Sequence, residues 1–159
     1  MRHTFAVSSL DALDTAILNE LQADGRVTAT DLANRVGLST SACLRRIRRL
    51  EETGVIDRYV MLVDPKRVGL TASVFVEITL SSQHEDRLDE FEAAVADCPG
   101  VRSCHLMAGD ADYRLEVICE GVADYERIHR SHLAQLPHVA RLRSNFAIRT
   151  VTSKTAYDI

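Results

Sequence analysis

The sequence holds no apolar run approaching the roughly 20 residues that a membrane-spanning helix requires. Its opening stretch, M-R-H-T-F-A-V-S-S-L-D, has no apolar segment long enough for a secretory signal. Both absences point to the cytoplasm. Cys43, Cys98, Cys104 and Cys119 form no C-x-x-C pair, and no histidines stand at zinc-ligand spacing, so no metal is expected. The neighbours Cys104 and His105 could serve metal or thiol chemistry, but packing is the simpler account; Cys43 fits a helix interior and Cys119 an apolar strand. Phosphate-binding glycine loops, nucleophile–base pairs and cofactor motifs are also wanting. That argues against an enzyme and against any bound cofactor.

What is present is the composition of a globular protein: 159 residues, 46% hydrophobic and 26% charged, enough for two compact units. The net charge of −4 is divided unevenly. Residues 1–67 carry 10 Lys/Arg against 9 Asp/Glu, and residues 68–159 carry 9 against 14. The first part is therefore near neutral overall, with its basic charge gathered in one place, and the second is acidic.

That place is G-L-S-T-S-A-C-L-R-R-I-R-R-L-E-E-T-G, Gly37 to Gly54. Ser39 is a natural N-cap and Gly54 a natural C-terminal stop. With Leu44 at zero and about 100° per residue, Ile47, Leu50 and Leu44 define an apolar stripe centred at about 300°. Arg45 and Arg49 then lie nearly opposite, at about 100° and about 140°, with Ser41 and Arg48 beside them and Arg46 on the flank. Two shorter patterns precede it. Leu10, Leu13, Ile17 and Leu21 recur at helical spacing after a capping Asp11, and Thr28 with Asp31 opens a short helix closed by Gly37. Helix, short helix, glycine turn and a helix with a basic face is the helix-turn-helix order, which places the last helix in the major groove of double-stranded DNA. An ordinary surface helix with a solvated basic side is the alternative for the last segment taken alone. Beyond Gly54, V-I-D-R-Y-V-M-L-V-D-P is β-rich and ends in a turn at Asp64-Pro65.

From Thr71 the periodicity changes. Val74, Val76, Ile78 and Leu80 alternate with Phe75, Glu77 and Thr79 as in a half-buried strand. Leu88, Phe91 and Val95 mark a helix, V-R-S-C-H-L-M and D-Y-R-L-E-V-I-C-E two more strands, Tyr125 to Leu136 a second helix, and Val139 to Val151 a last strand. The order βαββαβ is the ferredoxin-like arrangement. Two helices cover one face of such a sheet, so the other is polar or meets a partner. Phe75 and Ile118 on that face favour association. The loop G-D-A-D-Y, Gly109 to Tyr113, gathers two carboxylates and a phenol that can hold an ammonium or amide group; equally, it can be a plain turn in which Asp110 bonds nearby backbone and Tyr113 packs.

In L-D-A-L-D-T-A-I-L-N-E-L-Q-A-D-G-R, D-L-A-N-R-V-G-L-S, C-L-R-R-I-R-R-L-E-E-T-G-V-I, F-V-E-I-T-L and C-H-L-M-A-G-D-A-D-Y the chain resembles the Lrp/AsnC (leucine-responsive / asparagine regulator) family of transcription regulators. The resemblance spans about Leu10 to Val151, with the last segments nearest the leucine-responsive branch. It implies an α+β protein: a winged helix-turn-helix over residues 1–60, a linker strand and turn over 61–70, and a βαββαβ effector and oligomerisation domain over 71–159. It implies a homodimer that assembles to a tetramer or octamer on DNA in the nucleoid, with a small amino acid bound between effector domains. On the resemblance, Ser39, Thr40, Ser41, Arg45 and Arg49 approach the groove, and Arg46 and Arg48 the phosphates. Met107, Gly109, Asp110, Asp112 and Tyr113 form the effector loop, faced by Ser144, Phe146 and Ile148 from the final strand. The C-terminal T-S-K-T-A-Y-D-I lacks the Leu-Pro ending common in that family.

The expectation is thus a DNA-binding regulator whose assembly responds to an amino acid, leucine-like or other. Two further readings stand beside it. One is an architectural DNA binder with no effector; the other is a small enzyme using Asp110, Asp112 or His105, for which no activated nucleophile or base is in sight.

Overall fold

The computed structural model describes residues 10–159. The chain divides into two compact units: one runs to Met61 and includes Thr152–Ile159, the other spans Leu62–Val151.

The first unit has three helices, α1 (Ala12–Ala23), α2 (Ala29–Arg35) and α3 (Thr40–Glu52). Each starts at a side chain that accepts from the first turn's free N–H groups. Asp11 Oδ1 accepts from the N–H groups of Leu13 and Asp14 at 3.0 and 2.8 Å, while Asp14 returns the favour to the Asp11 N–H. Thr28 accepts from Asp31 N–H, and Ser39 from Ala42 N–H. Gly37 and Gly54 sit at φ 70° and 74°, the left-handed region that lets the chain leave α2 and α3 abruptly. The core joins Ile17, Leu18, Leu32, Ala33, Cys43 and Leu50. The buried stripe of α3 is therefore Cys43, Ile47 and Leu50, not Leu44, which is exposed. Relative to expectation the stripe turns by about 30° toward Arg46. The C-terminal segment belongs to this unit: Tyr157 N–H donates to Gln22 Oε1 at 2.7 Å, and Gln22 Nε2 donates back to the Tyr157 carbonyl.

The β-rich run after Gly54 forms no strand between residues 55 and 64. Tyr59, Val60, Met61, Leu62 and Val63 are exposed there. A strand is held by a neighbour's N–H and C=O groups, and none is offered to this stretch among the described residues. The expected linker strand is thus an extended segment. Asp64-Pro65 does turn the chain, through one 3₁₀ turn (Pro65–Val68) closed by Gly69 at φ 86°.

The second unit runs β1 (Ala72–Leu80), α4 (Glu85–Ala96), β2 (Val101–Leu106), β3 (Tyr113–Cys119), α5 (Val122–Ser131) and β4 (Val139–Phe146). The strands form one antiparallel sheet in the order β2-β3-β1-β4. Val74, Val76, Ile78, Tyr113, Leu115 and Val117 point to one face and bury against Phe91, Val95, Tyr125 and Ile128 of the two helices. Two details differ from expectation. Helix α5 stops at Ser131, and the segment before Pro137 becomes a 3₁₀ turn, Leu133–Gln135. Strand β4 ends at Phe146 rather than Val151. No helix among the described residues is long and apolar enough to cross a membrane.

Candidate nucleic-acid interface and ligand cradle

On α3, Ser41, Leu44, Arg45, Arg48, Arg49 and Glu52 share one open surface. Arg45 and Arg48 are exposed and have no ion-pair partner among the described residues. Ser39 and Ser41 bond each other at 3.2 Å across the helix start, beside Thr40. The start and outer side of α3 are thus basic and hydroxylated.

Arg46 is placed differently. Its Nη1 donates to Asp11 Oδ2 and Asp14 Oδ1, both at 2.8 Å, and its side chain is 24% exposed. The expected phosphate contact is corrected: the turned stripe brings Arg46 over the first turn of α1, where two carboxylates claim its charge. Those bonds raise its pKa, Asp11 contributing most and Asp14 next. Asp11 shifts the other way, lowered first by the Asp14 N–H and then by Arg46. Arg49 also reaches Asp14, through Nη2 to Oδ2, but stays half exposed, so one guanidinium edge remains outward. Asp14 itself is fully buried. Sequence reasoning missed it, although a carboxylate one helical turn from both Leu10 and Ile17, inside an apolar stripe, signals a buried pair.

On the second unit, the sheet face away from the helices carries a cross-strand row. The register pairs His105 with Arg114, Arg114 with Glu77, and Glu77 with Arg143. Thr79 pairs with Arg141 one step along. Beside these residues the loop Met107–Ala111 borders an open cavity of about 330 Å³. Arg143 approaches Glu77 at 3.7 Å, and the Arg114 guanidinium lies 4.8 Å over the Phe75 ring. Asp110 and Arg141 also line the cavity, and neither has an ion-pair partner among the described residues. Met107 and Gly109 complete the rim.

The other expected loop residues turn inward. Asp112 is buried; it accepts from Leu80 N–H at 2.7 Å and Gln83 Nε2 at 2.6 Å, pinning the loop to the end of β1. Tyr113 lies on the helix face, its ring centroid 4.5 Å from that of Phe91 and its phenol donating to Glu92 at 2.7 Å. Burial, and then Glu92, push that phenol's pKa well up. Neither side chain faces the cavity, so as direct ligand contacts both are corrected. The residues expected as the final-strand wall do not line this cavity. Ser144 bonds the Tyr125 hydroxyl and Phe146 stands edge-on to the Tyr125 ring, both on the helix face, and Ile148 is fully exposed past the strand. Strand alternation gives the cavity Arg141 and Arg143 instead, a phase readable in R-L-R at 141–143. Cys104 and His105 part in the same way: Cys104 packs with the core, its thiol raised to about 11 by burial and then Glu92, while His105 is exposed on the open face.

Residues 73–157 match the family model described as the Lrp/AsnC ligand binding domain, and residues 10–57 match the winged helix-turn-helix DNA-binding model. The chain is 41% identical to the Bkd operon transcriptional regulator of Pseudomonas aeruginosa, over 94% of this chain and 98% of that one. It is 39% identical to the leucine-responsive regulatory protein of Escherichia coli, over 89% and 87%. A solved transcriptional regulator from Neisseria meningitidis, in complex with L-Met, superposes with a TM-score of 0.89 at 31% identity, covering 94% of this chain and 97% of that one.

Proposed function

The chain belongs to the Lrp/AsnC family, a DNA-binding transcription regulator and not an enzyme, and from that premise we propose that a small amino acid bound in the sheet-face cradle sets how many copies grip DNA together. The observation that carries this reading is the cradle itself. A carboxylate, Asp110, and a guanidinium, Arg141, neither of them ion-paired among the described residues, line one cavity, as an ammonium and a carboxylate on one small molecule require. The L-Met complex of the Neisseria relative supports it.

On this reading Met107, Gly109 and Asp110 contact the ligand from the loop, and Arg114, Arg141 and Arg143 from the sheet. Asp112 and Tyr113 hold the loop in place. Ser39, Thr40, Ser41, Arg45, Arg48 and Arg49 meet double-stranded DNA, Ser39 to Ser41 offering a helix start that suits a phosphate. Arg46 braces α3 from behind. The near-neutral charge of residues 1–67 gives one copy a weak hold on phosphates. Useful affinity then comes from a homodimer joined into a tetramer or octamer on the nucleoid, in the cytoplasm. The ligand acts by linkage: it favours whichever assembly binds it better. Thermal shift with the common amino acids, paired with solution mass, tests this. A ligand that raises the melting temperature and changes the assembled mass is expected. Stabilisation by none of them would leave an architectural DNA binder without an effector.

A further inference from the structure

We infer that the cradle selects an acidic amino acid, one bearing two carboxylates and one ammonium, over apolar ones; the inference rests on the reading of the cradle as the effector site. The charges that line the cavity do not balance among themselves. Arg143 and Glu77 are paired with each other at 3.7 Å and cancel. Arg114 and Arg141 have no carboxylate partner among the described residues, and Asp110 has no cationic one. Arg114 instead lies over the Phe75 ring at 4.8 Å, an arrangement that leaves its N–H edge free for an anion. Two open guanidiniums and one open carboxylate complement two carboxylates and one ammonium.

A monocarboxylic ligand would satisfy Asp110 and only one arginine. The other guanidinium, exposed on the open sheet face, would go without the charge-assisted contact that a second carboxylate supplies. Geometry agrees. Arg114 on β3 and Arg141 on β4 flank the central strand β1, so their long side chains reach the cavity from opposite sides. Meanwhile the apolar lining is thin. Among the cavity residues Met107 alone has a long apolar side chain; Ala108, Gly109 and Ala111 offer a methyl group or none. A leucine-like side chain would bury little surface there.

The test is calorimetric titration of the full chain with L-glutamate, L-aspartate, their amides L-glutamine and L-asparagine, L-leucine and L-methionine. Each amide keeps the shape of its acid and removes one charge. The better of the two acids is expected to bind about tenfold tighter than its own amide, the effect of one charged hydrogen-bonded contact. In Arg114→Gln, which spares both Asp110 and Arg141, that difference is expected to collapse while binding of the amide persists. Leucine or methionine binding tighter than both acids, or acid and amide binding alike, would overturn the inference and leave the amino-acid site standing. An undiminished preference in R114Q would overturn it as well. Binding by no amino acid would remove both the inference and the reading beneath it.

Discussion

The carboxylate of Asp14, fully buried in the first turn of α1, accepts from the guanidinium of Arg49 on α3. Through the same carboxylate Arg46 is bound as well. One acidic side chain thereby divides the four arginines of α3. Arg46 serves the fold, Arg49 serves it with one edge, and Arg45 and Arg48 have no ion-pair partner among the described residues. A helix whose roll is fixed by a buried ion pair presents its outer residues at a defined angle, which reading base edges demands.

Asp14→Ala should therefore destabilise the helical unit by about 3 kcal/mol, because two guanidiniums lose a buried partner and the α1 cap loses one half of its box. Chemical denaturation followed by circular dichroism measures this. A loss below about 0.5 kcal/mol, the range of ordinary surface changes, would show that the pair adds nothing to the fold.

Arg45→Ala should behave in the opposite way. Its side chain is exposed and unpaired among the described residues, so stability should not change. If it reads a guanine, binding to a specific site should weaken by about 1–3 kcal/mol while non-specific binding barely moves. Fluorescence anisotropy on specific and scrambled duplexes separates the two. An equal loss on both would make Arg45 a phosphate contact.

Acid should loosen the helical unit through Asp11. Its carboxyl is held below its ordinary 3.8 by the Asp14 N–H and by Arg46. A lowered folded value contributes stability above the unfolded value, and that stability is lost as pH falls through the folded one. Urea midpoints should accordingly drop below about pH 4. Asp11→Asn keeps a good capping side chain but removes the titration, so its acid limb should be shallower. Superimposable limbs for the two proteins would rule Asp11 out.

Which features were legible in the sequence follows from how local their causes are. Ser39, Thr28 and Gly54 act within four residues of themselves, so caps and stops could be read directly. The alternation from Val74 to Leu80 likewise announced β1 and its buried face. The segment 55–64 misled because β-propensity states a preference that only a neighbouring strand can satisfy. Arg46 misled because its partners lie 32 and 35 residues away. Ser144 and Phe146 were misplaced by one step of strand phase, and one step exchanges the faces of a sheet.

The two aspartates of the cradle loop separate ligand contact from loop support, and their variants should divide accordingly. Asp112 satisfies Leu80 N–H and Gln83 from a buried position, so Asp112→Ala leaves a buried donor unmet and should cost about 1–3 kcal/mol of stability. With the loop unpinned, the amino-acid response should be lost too. Asp110 lines the cavity and has no ion-pair partner among the described residues. Asp110→Ala should then leave the melting temperature of the free protein unchanged and abolish only the shift caused by the ligand. Measured side by side, the two melting curves decide between a sensing loop and a plain turn. If Asp110→Ala responds to the ligand like the parent, the ammonium is held elsewhere, and the charge count that makes this cavity an amino-acid site loses the one carboxylate that no cation of the described residues pairs.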